Sequence, residues 1–356
     1  MSSSKQLAGR SLLVVGGAGF VGSNLSHMLL ASDPRALTIV DNFLSSERVN
    51  VPDDPRVTVI EGSVADDAVL ARLPADLDYA WHLACYHGNQ SSIFDPVADH
   101  DNNTITSLKL FQQLSTRSNL TKVVYSAAGC AVAEKTYGEP AATPEDAPVS
   151  LFHDSPYSIS KLVGEMYGNY FFRRTGMPFV KARFQNVYGP REILGAGRWR
   201  GTYATVWRNV TPTFIWKAMH GGVLGLDNGG QVSRDFIFVE DVCRGLIACA
   251  TKGVPGEAYN VASGVETTIK VLAEHVVALT GGTATMQIQP ARDWDGSGRR
   301  FGSTEKSERE LGFRAEVGIA EGLRRTVEWT SQHREVIRSC MQRHAADMAR
   351  VGAPLD

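Results

Sequence analysis

The sequence predicts an α/β protein built on a doubly wound parallel sheet. Over the first half of the chain, short apolar runs alternate with amphipathic segments of helical length, and strands separated by helices form parallel sheets. Glycines follow the first apolar run in the pattern of a dinucleotide-binding turn. The chain has 356 residues, of which 43% are hydrophobic, so it can bury the core of one large domain or of one and a half domains.

Residues 11–41 carry the most informative pattern. An apolar run ends in the turn Gly16-Gly17-Ala18-Gly19-Phe20-Val21-Gly22, an amphipathic segment follows, and a second apolar run ends at Asp41. Glycine lets the backbone turn tightly and approach a pyrophosphate, which the N–H groups of the following helix hold. A carboxylate at the end of the second strand meets the adenosine ribose hydroxyls. A glycine turn alone is common in plain loops, but this combination predicts a Rossmann unit that binds a dinucleotide.

The alternation continues as far as residue 190. Strands are expected at 57–60, 79–84, 122–126 and 179–184, and helices from 67, over 96–117 and over 155–175. The segment 191–209 is rich in Gly, Arg and Trp and predicts a long loop with a functional role.

The elements beyond this loop are too scattered for a second Rossmann unit. They are helices at 211–220, 241–251 and 268–280 and short extended runs at 235–239 and 258–261. We expect them to form a smaller C-terminal α/β substrate-binding lobe that closes a cleft at the switch point of the sheet. The predicted organisation is a Rossmann domain at 1–190, a mainly substrate-binding lobe at 191–330 and a helical tail at 331–356 without an assigned function.

The composition argues against several classes of partner. The net charge is −2 and no block of Lys and Arg occurs, which disfavours nucleic acid and membrane surfaces. No apolar run approaches the roughly 20 residues of a membrane span, and no signal-peptide core precedes the first strand. The five cysteines lack disulfide or zinc spacing, so we expect reduced thiols, a cytoplasmic location and no bound metal.

A second chemical pattern is Tyr157-Ser158-Ile159-Ser160-Lys161. Residues four apart share one face of a helix, so the phenol and the ammonium point into the same space. A cation there, together with a positive nicotinamide ring, lowers the phenol pKa from about 10 towards working pH. Tyr157 could then act as a general base on a substrate alcohol. The spacing alone is common by chance, but after the fifth strand of a dinucleotide fold it indicates the base.

These patterns together resemble the extended short-chain dehydrogenases/reductases, specifically the NAD-dependent nucleotide-sugar epimerase/dehydratase group. The resemblance covers roughly residues 10–330. Its motifs are the glycine turn, Asp41-Asn42, His82-Leu83-Ala84, Tyr157 with Lys161, the run Arg183-Phe184-Gln185-Asn186-Val187-Tyr188-Gly189-Pro190, Arg234-Asp235-Phe236, and Glu310-Leu311-Gly312-Phe313.

The resemblance implies a set of cofactor-binding residues for NAD. They are Gly16, Gly19, Phe20, Val21 and Gly22 at the pyrophosphate, Asp41 and Asn42 at the adenosine ribose, Val64 at the adenine, Leu83 and Ala84 at the end of the fourth strand, and Tyr157 with Lys161 at the nicotinamide ribose. Ser63 stands where the group usually carries Asp, which puts adenine recognition by that side chain in doubt.

The resemblance also implies a nucleotide-sugar site. Its expected residues are His87 and Ser126 near the sugar, Asn186 at a sugar or phosphate oxygen, Asn209 and Val210 at the nucleotide, and Arg234 and Arg292 at the diphosphate. Arginine suits a diphosphate because its planar fork matches phosphate oxygens. For His87, a loop histidine facing solvent is the alternative. Members of the group suggest a homodimer through the helices at 96–117 and 155–175.

The largest departure lies after the fifth strand. Ala128 stands where the group usually carries a catalytic Ser or Thr, and Gly129-Cys130 stands where 4,6-dehydratases carry Asp-Glu. Dehydration therefore lacks its acid and base. A cysteine at position 130 is similar to the arrangement in GDP-mannose 3,5-epimerases, and a small buried core thiol is the alternative.

We therefore expect an NAD-dependent nucleotide-sugar epimerase that inverts carbon 4 through a transient 4-keto sugar, with Tyr157, Lys161 and Cys130 as catalytic residues. The first alternative is a 3,5- or 5-epimerase that uses Cys130. A reductase consuming NADPH is disfavoured because Asp41 repels a 2′-phosphate. A catalytically silent dinucleotide sensor would not require Tyr157, Lys161 and Arg234.

Overall fold

The computed structural model describes residues 3–129, 140–292 and 298–355. Seven parallel strands form its central sheet, in the order β11-β7-β5-β4-β1-β2-β3. Those strands are β1 (Ser11–Val15), β2 (Ala36–Asp41), β3 (Val57–Glu61), β4 (Tyr79–His82), β5 (Lys122–Ala128), β7 (Phe179–Phe184) and β11 (Ala258–Val261). The order reverses between β1 and β4, so a crevice opens at the carboxyl ends of these two strands. The doubly wound parallel fold predicted from the sequence is confirmed.

The remaining strands form three small sheets. One has the order β12-β10-β8, and the pairs β9 with β13 and β6 with β14 form the other two. These strands are β6 (Ala142–Thr143), β8 (Asn186–Tyr188), β9 (Val223–Asp227), β10 (Ser233–Phe238), β12 (Glu266–Thr268), β13 (Thr285–Gln289) and β14 (Phe301–Gly302).

Helices cover both faces of the central sheet. In chain order they are α1 (Ser3–Leu7), α2 (Phe20–Leu30), α3 (Asp67–Leu70), α4 (Asn89–Phe94), α5 (Pro96–Asp99), α6 (Thr106–Leu114), α7 (Pro156–Thr175), α8 (Val210–Met219), α9 (Val239–Lys252), α10 (Ile269–Leu279), α11 (Ile319–Gln332), α12 (Arg334–Gln342) and α13 (Ala345–Arg350). Within the described ranges, no helix is long and apolar enough to cross a membrane.

Two elements lie elsewhere than the sequence suggests. The run at 258–261 and the helix at 241–251 were expected in the smaller lobe, but β11 pairs with β7 in the central sheet and α9 packs beside α2. Cys243 and Leu246 of α9 share the core of Leu12 and Leu25. Placing these elements in the lobe is therefore wrong, because a four-residue apolar run fits either sheet and only its neighbours decide between them. The boundaries of the two units stay a prediction.

The helix expected at 96–117 is shorter and interrupted. A π-helical stretch, His100–Ile105, separates α5 from α6, and α4 precedes them. In this stretch the Asn103 side chain accepts a hydrogen bond from the Tyr86 backbone N–H at 2.7 Å and donates one to Asp99 at 2.7 Å. π-helical turns are frequent near functional sites, and this one anchors the loop that follows β4.

The C-terminal segment forms helices that pack against the long loop. Helices α12 and α13 pack Ile337 and Met348 into a cluster with Ile193, Leu194 and Val206 of the long loop. His344 Nε2 lies 3.0 Å from the Gly195 carbonyl oxygen. The long loop at 191–209 is therefore held by the C-terminal helices and forms one wall of the cleft.

Candidate active site

The glycine turn after β1 lies against the end of β4 too closely for side chains. Gly16 has a φ of +87°, and a Cβ there would come within 2.5 Å of the Ala84 backbone nitrogen. A Cβ on Gly22 would lie 2.0 Å from the Gly16 carbonyl oxygen. The turn therefore needs glycine at both positions, and it presents the first N–H groups of α2 to the crevice, as a pyrophosphate site requires.

Asp41 fixes the edge of this turn. Its Oδ2 accepts a hydrogen bond from the Ala18 N–H at 2.9 Å, and its Oδ1 accepts from the Phe43 N–H at 2.9 Å and the Ser46 hydroxyl at 2.8 Å. The residue is only 8% exposed. Asp41 thus joins the glycine turn to the loop after β2 and lies in the wall of the cleft, where a ribose would meet it.

One cleft collects every predicted site residue that the structure describes. Its volume is about 2210 Å³, more than twice the roughly 1,000 Å³ of a large single-ligand pocket. The predicted residues that line it are Gly16, Gly19, Phe20, Val21, Gly22, Asp41, Asn42, Val64, Leu83, Ala84, His87, Ser126, Tyr157, Lys161, Asn186, Asn209, Val210, Arg234 and Arg292. The cleft has room for two ligands end to end, and the individual roles of these residues stay predictions.

Tyr157 and Lys161 lie in the first turns of α7, which Ser155 caps through the Ser158 N–H. The Lys161 ammonium is 3% exposed and donates to the carbonyl oxygen of Ser126 at 2.9 Å and to its hydroxyl at 3.2 Å. The Lys161 Nζ lies 5.9 Å from the centroid of the Tyr157 ring. The structure therefore brings the phenol and the ammonium into the same space, as their spacing predicts.

Burial shifts the pKa values of both Tyr157 and Lys161 from their ordinary values. Burial raises the pKa of Tyr157 well above its ordinary value, and the neighbouring Cys85 adds to this shift. Burial also lowers the pKa of Lys161. In the protein without cofactor, loss of water from the phenolate therefore sets the direction of the phenol shift. The predicted lowering of the phenol pKa also requires the positive nicotinamide ring, so it stays a prediction.

Cys85 is a site residue that the sequence analysis missed. It directly follows Ala84 after β4, lines the cleft and lies close enough to Tyr157 to raise the pKa of its phenol. Its thiol is not in a disulfide. Its position after a parallel strand, on the edge where sites form, was the available signal.

The predicted third catalytic position has no hydroxyl. Ala128 is buried at the end of β5 and lines the cleft, while the Ser126 hydroxyl is engaged by Lys161. Cys130 lies outside the described residues, so its catalytic role stays a prediction.

The two histidines near β4 have different environments. His82 is buried, with Nε2 3.0 Å from the Ser107 hydroxyl, as a structural residue should be. His87 lines the cleft, and its ring meets the Tyr157 ring edge-on at 6.0 Å between centroids. Burial, with the nearby charge of Arg200, lowers the pKa of His87 to about 3. His87 is therefore a half-buried, neutral group in the lining of the cleft, and its role at the sugar stays a prediction.

The predicted diphosphate arginines already have protein partners. Arg234 on β10 donates to the carbonyl oxygens of Ser233 at 2.7 Å and Gly298 at 2.9 Å. Arg292 forms an ion pair with Asp227, with Nε 2.5 Å from Oδ2. A bound diphosphate would have to share or replace these contacts. Among the described residues, no group of three or more His, Cys, Asp or Glu side chains could hold a metal ion.

The geometry of Asp41 predicts selectivity for a dinucleotide without a 2′-phosphate. We expect NAD to bind at least about tenfold more tightly than NADP, because a second negative charge would lie against a partly desolvated carboxylate. Calorimetric titration of both cofactors measures the ratio, and Asp41→Asn should reduce it. Equal binding of the two by the unaltered protein would remove Asp41 from this role.

Comparison with known proteins places this geometry in a family. The model of the NAD dependent epimerase/dehydratase family matches residues 12–262. The Bordetella bronchiseptica enzyme WbmF, solved in complex with NAD+ and UDP, is 54% identical, with a TM-score of 0.87 over 97% of this chain and 99% of that chain.

Two curated relatives carry out different reactions. The UDP-glucose 4-epimerase of Mycolicibacterium smegmatis is 29% identical over 323 residues, which is 89% of this chain and 97% of that protein. The dTDP-glucose 4,6-dehydratase of Streptomyces antibioticus is 29% identical over 334 residues, which is 91% of this chain and 93% of that protein. The resemblance inferred from the sequence is confirmed, and this chain belongs to the NAD dependent epimerase/dehydratase family.

Proposed function

We propose that this protein is an NAD-dependent epimerase that inverts carbon 4 of a UDP-sugar. The observation that carries the proposal is that Tyr157 and Lys161 line the same cleft as the glycine turn, Asn209 and Arg234. A base between a dinucleotide site and a sugar-nucleotide site can act on a sugar hydroxyl. UDP is favoured because WbmF was solved with UDP and a relative is a UDP-glucose 4-epimerase.

The residues present fit NAD. Gly16 and Gly22 leave the close backbone approach that a pyrophosphate needs, and Asp41 stands where the adenosine ribose would lie. Lys161 would hold the nicotinamide ribose. Bound there, NAD would supply the acceptor and donor of hydride that inversion of the sugar carbon needs.

Tyr157 performs the proton transfer in this proposal. Its hydroxyl is neutral in the free protein because burial raises its pKa. Lys161 and the positive charge of bound NAD together oppose that effect, since a nearby cation favours the phenolate. Tyr157 then takes the proton of the sugar 4-hydroxyl and later returns it. Because Ala128 has no hydroxyl to relay this proton, Tyr157 contacts the sugar hydroxyl directly.

Two further properties belong to the proposal. We propose a homodimer, because the faces of α5 and α7 leave Val97, Ile159, Met166 and Tyr170 exposed, and such apolar faces are typical of interfaces. We also propose a cytoplasmic location, which fits the four described cysteines, Cys85, Cys243, Cys249 and Cys340, because none forms a disulfide.

The reaction is tested by incubating the purified protein with a panel of UDP-, dTDP-, GDP- and ADP-sugars in deuterated water and analysing the products by NMR. We expect inversion at carbon 4 of a UDP-sugar without incorporation of deuterium, since the hydrogen of that carbon never exchanges with solvent. Deuterium at carbon 3 or 5 would instead support the alternative epimerase using Cys130. A 4-keto-6-deoxy product would contradict both and indicate a dehydratase.

The role of Tyr157 predicts the effect of removing its hydroxyl. Tyr157→Phe should keep NAD and UDP-sugar binding but lose at least about 100-fold in turnover, the lower end of the contribution of a positioned general base. Tyr167→Phe, which changes a tyrosine further along α7, is the matched control and should turn over normally. A Tyr157→Phe enzyme as active as the unaltered enzyme would rule out Tyr157 as the base.

A further inference from the structure

Glu192 is a buried carboxyl group in the wall of the cleft that no predicted step uses. It is 7% exposed and lines the cleft in the loop after β8. One carboxyl oxygen, Oε1, accepts a hydrogen bond from the Asn209 side-chain amide. The other, Oε2, is buried and has no hydrogen-bond partner within the described ranges. Buried polar atoms without partners are rare enough to call for an explanation, and an absent ligand is one.

The contact with Glu192 changes what Asn209 does. Asn209 occupies the N-cap position of α8, where asparagine normally accepts a hydrogen bond from an N–H of the first turn. Here its side chain makes no capping hydrogen bond, and its amide nitrogen donates to Glu192. Thr213, one turn into the same helix, also lines the cleft and has a buried hydroxyl without a partner among the described residues. The N-terminus of α8 therefore lies in the wall of the cleft without a side-chain cap.

Resting on the proposed function, we propose that Glu192 is a positioning and specificity-determining residue for a nucleoside diphosphate sugar. Glu192 orients the Asn209 side chain away from the N-terminus of α8, so that the backbone N–H groups of Val210 and Thr211, which precede Pro212, remain available to an anionic ligand. Its own Oε2, which carries the proton of the neutral carboxyl group, and the Thr213 hydroxyl donate hydrogen bonds to oxygens of the substrate.

The charge state of Glu192 is consistent with this role. Burial raises its pKa to about 7, against the opposing effects of the Asn209 amide and the charge of Arg208. Arg208 directs its guanidinium to backbone carbonyl oxygens, those of Thr205 at 3.2 Å, Ser45 at 2.8 Å and Ala196, rather than into an ion pair with Glu192. A neutral carboxyl group beside the opening of α8 does not repel a diphosphate, whereas an ionised one does.

Calorimetric binding of UDP-glucose to the NAD-loaded protein tests the inference. Glu192→Ala and Asn209→Ala should each weaken binding by about tenfold, and the double variant should be no weaker than either, because both changes remove one coupled contact. Glu192→Gln keeps an oxygen for the Asn209 amide and cannot ionise. Below about pH 7, Glu192→Gln should bind UDP-glucose as tightly as the unaltered protein. Above about pH 7, the unaltered protein should lose affinity and Glu192→Gln should not. Glu328→Gln, an exposed change on α11, is the control and should bind normally.

Three results would overturn the inference. They are normal binding by Glu192→Ala, additive effects of the two alanine changes, and a Glu192→Gln pH dependence equal to that of the unaltered protein. If Glu192→Ala does not fold, the pH dependence of UDP-glucose binding by the near-isosteric Glu192→Gln variant tests the inference by itself. If the unaltered protein binds neither UDP-glucose nor UDP, the proposed substrate class is overturned as well. If it binds them and only the Glu192 results disagree, the inference about Glu192 alone is overturned.

Discussion

The burial of the Lys161 ammonium between α7 and β5 is the interaction on which the site depends. A buried cation is costly unless hydrogen bonds replace its water, and the carbonyl and hydroxyl oxygens of Ser126 supply them. These contacts require α7 to lie very close to the sheet. Gly164 and Gly168 make that approach possible, because a Cβ on Gly164 would lie 2.1 Å from the Tyr125 hydroxyl and one on Gly168 2.0 Å from the Phe179 ring. Once α7 is fixed in this way, Tyr157 necessarily stands at the mouth of the crevice.

The electrostatics of the cleft follow from the same burial. Three of its groups are held towards their neutral forms, since burial raises the pKa of Tyr157, lowers that of His87 to about 3 and raises that of Glu192 to about 7. Lys161 is itself buried, with Cys85 and Asp99 as the neighbours that favour its charged form, so its field is weakly screened by water. In the free protein this is not enough to ionise the phenol. The proposed chemistry thus begins only when a positively charged cofactor joins Lys161, which couples proton removal to cofactor binding.

The sequence predicted the parts of the site that depend on local spacing. The glycine turn with Asp41, and Tyr157 with Lys161, are each defined within one strand–turn–helix unit or one helix, so their geometry follows from the chain itself. Other features depend on contacts between distant segments. The strand β11 joins the central sheet because β7 offers an edge, and Glu192 is buried because the C-terminal helices hold its loop. Cys85 lies beside Tyr157 because the loop after β4 and the first turns of α7 line the same cleft. No periodicity marks these contacts, which is why sequence reasoning placed β11 wrongly and missed both side chains.

The central claim is that the Lys161 charge makes Tyr157 a base, and the pH dependence of kcat in the NAD-loaded enzyme tests it most directly. The substrate is the UDP-sugar that the product analysis identifies. The acidic limb of the kcat profile then reports the ionisation of the base in the substrate complex. In Lys161→Met, with turnover expressed per bound NAD, we expect this limb to move to higher pH by at least about one unit, because removal of a nearby cation raises the phenol pKa. An unchanged limb in the Lys161→Met enzyme would contradict the claim.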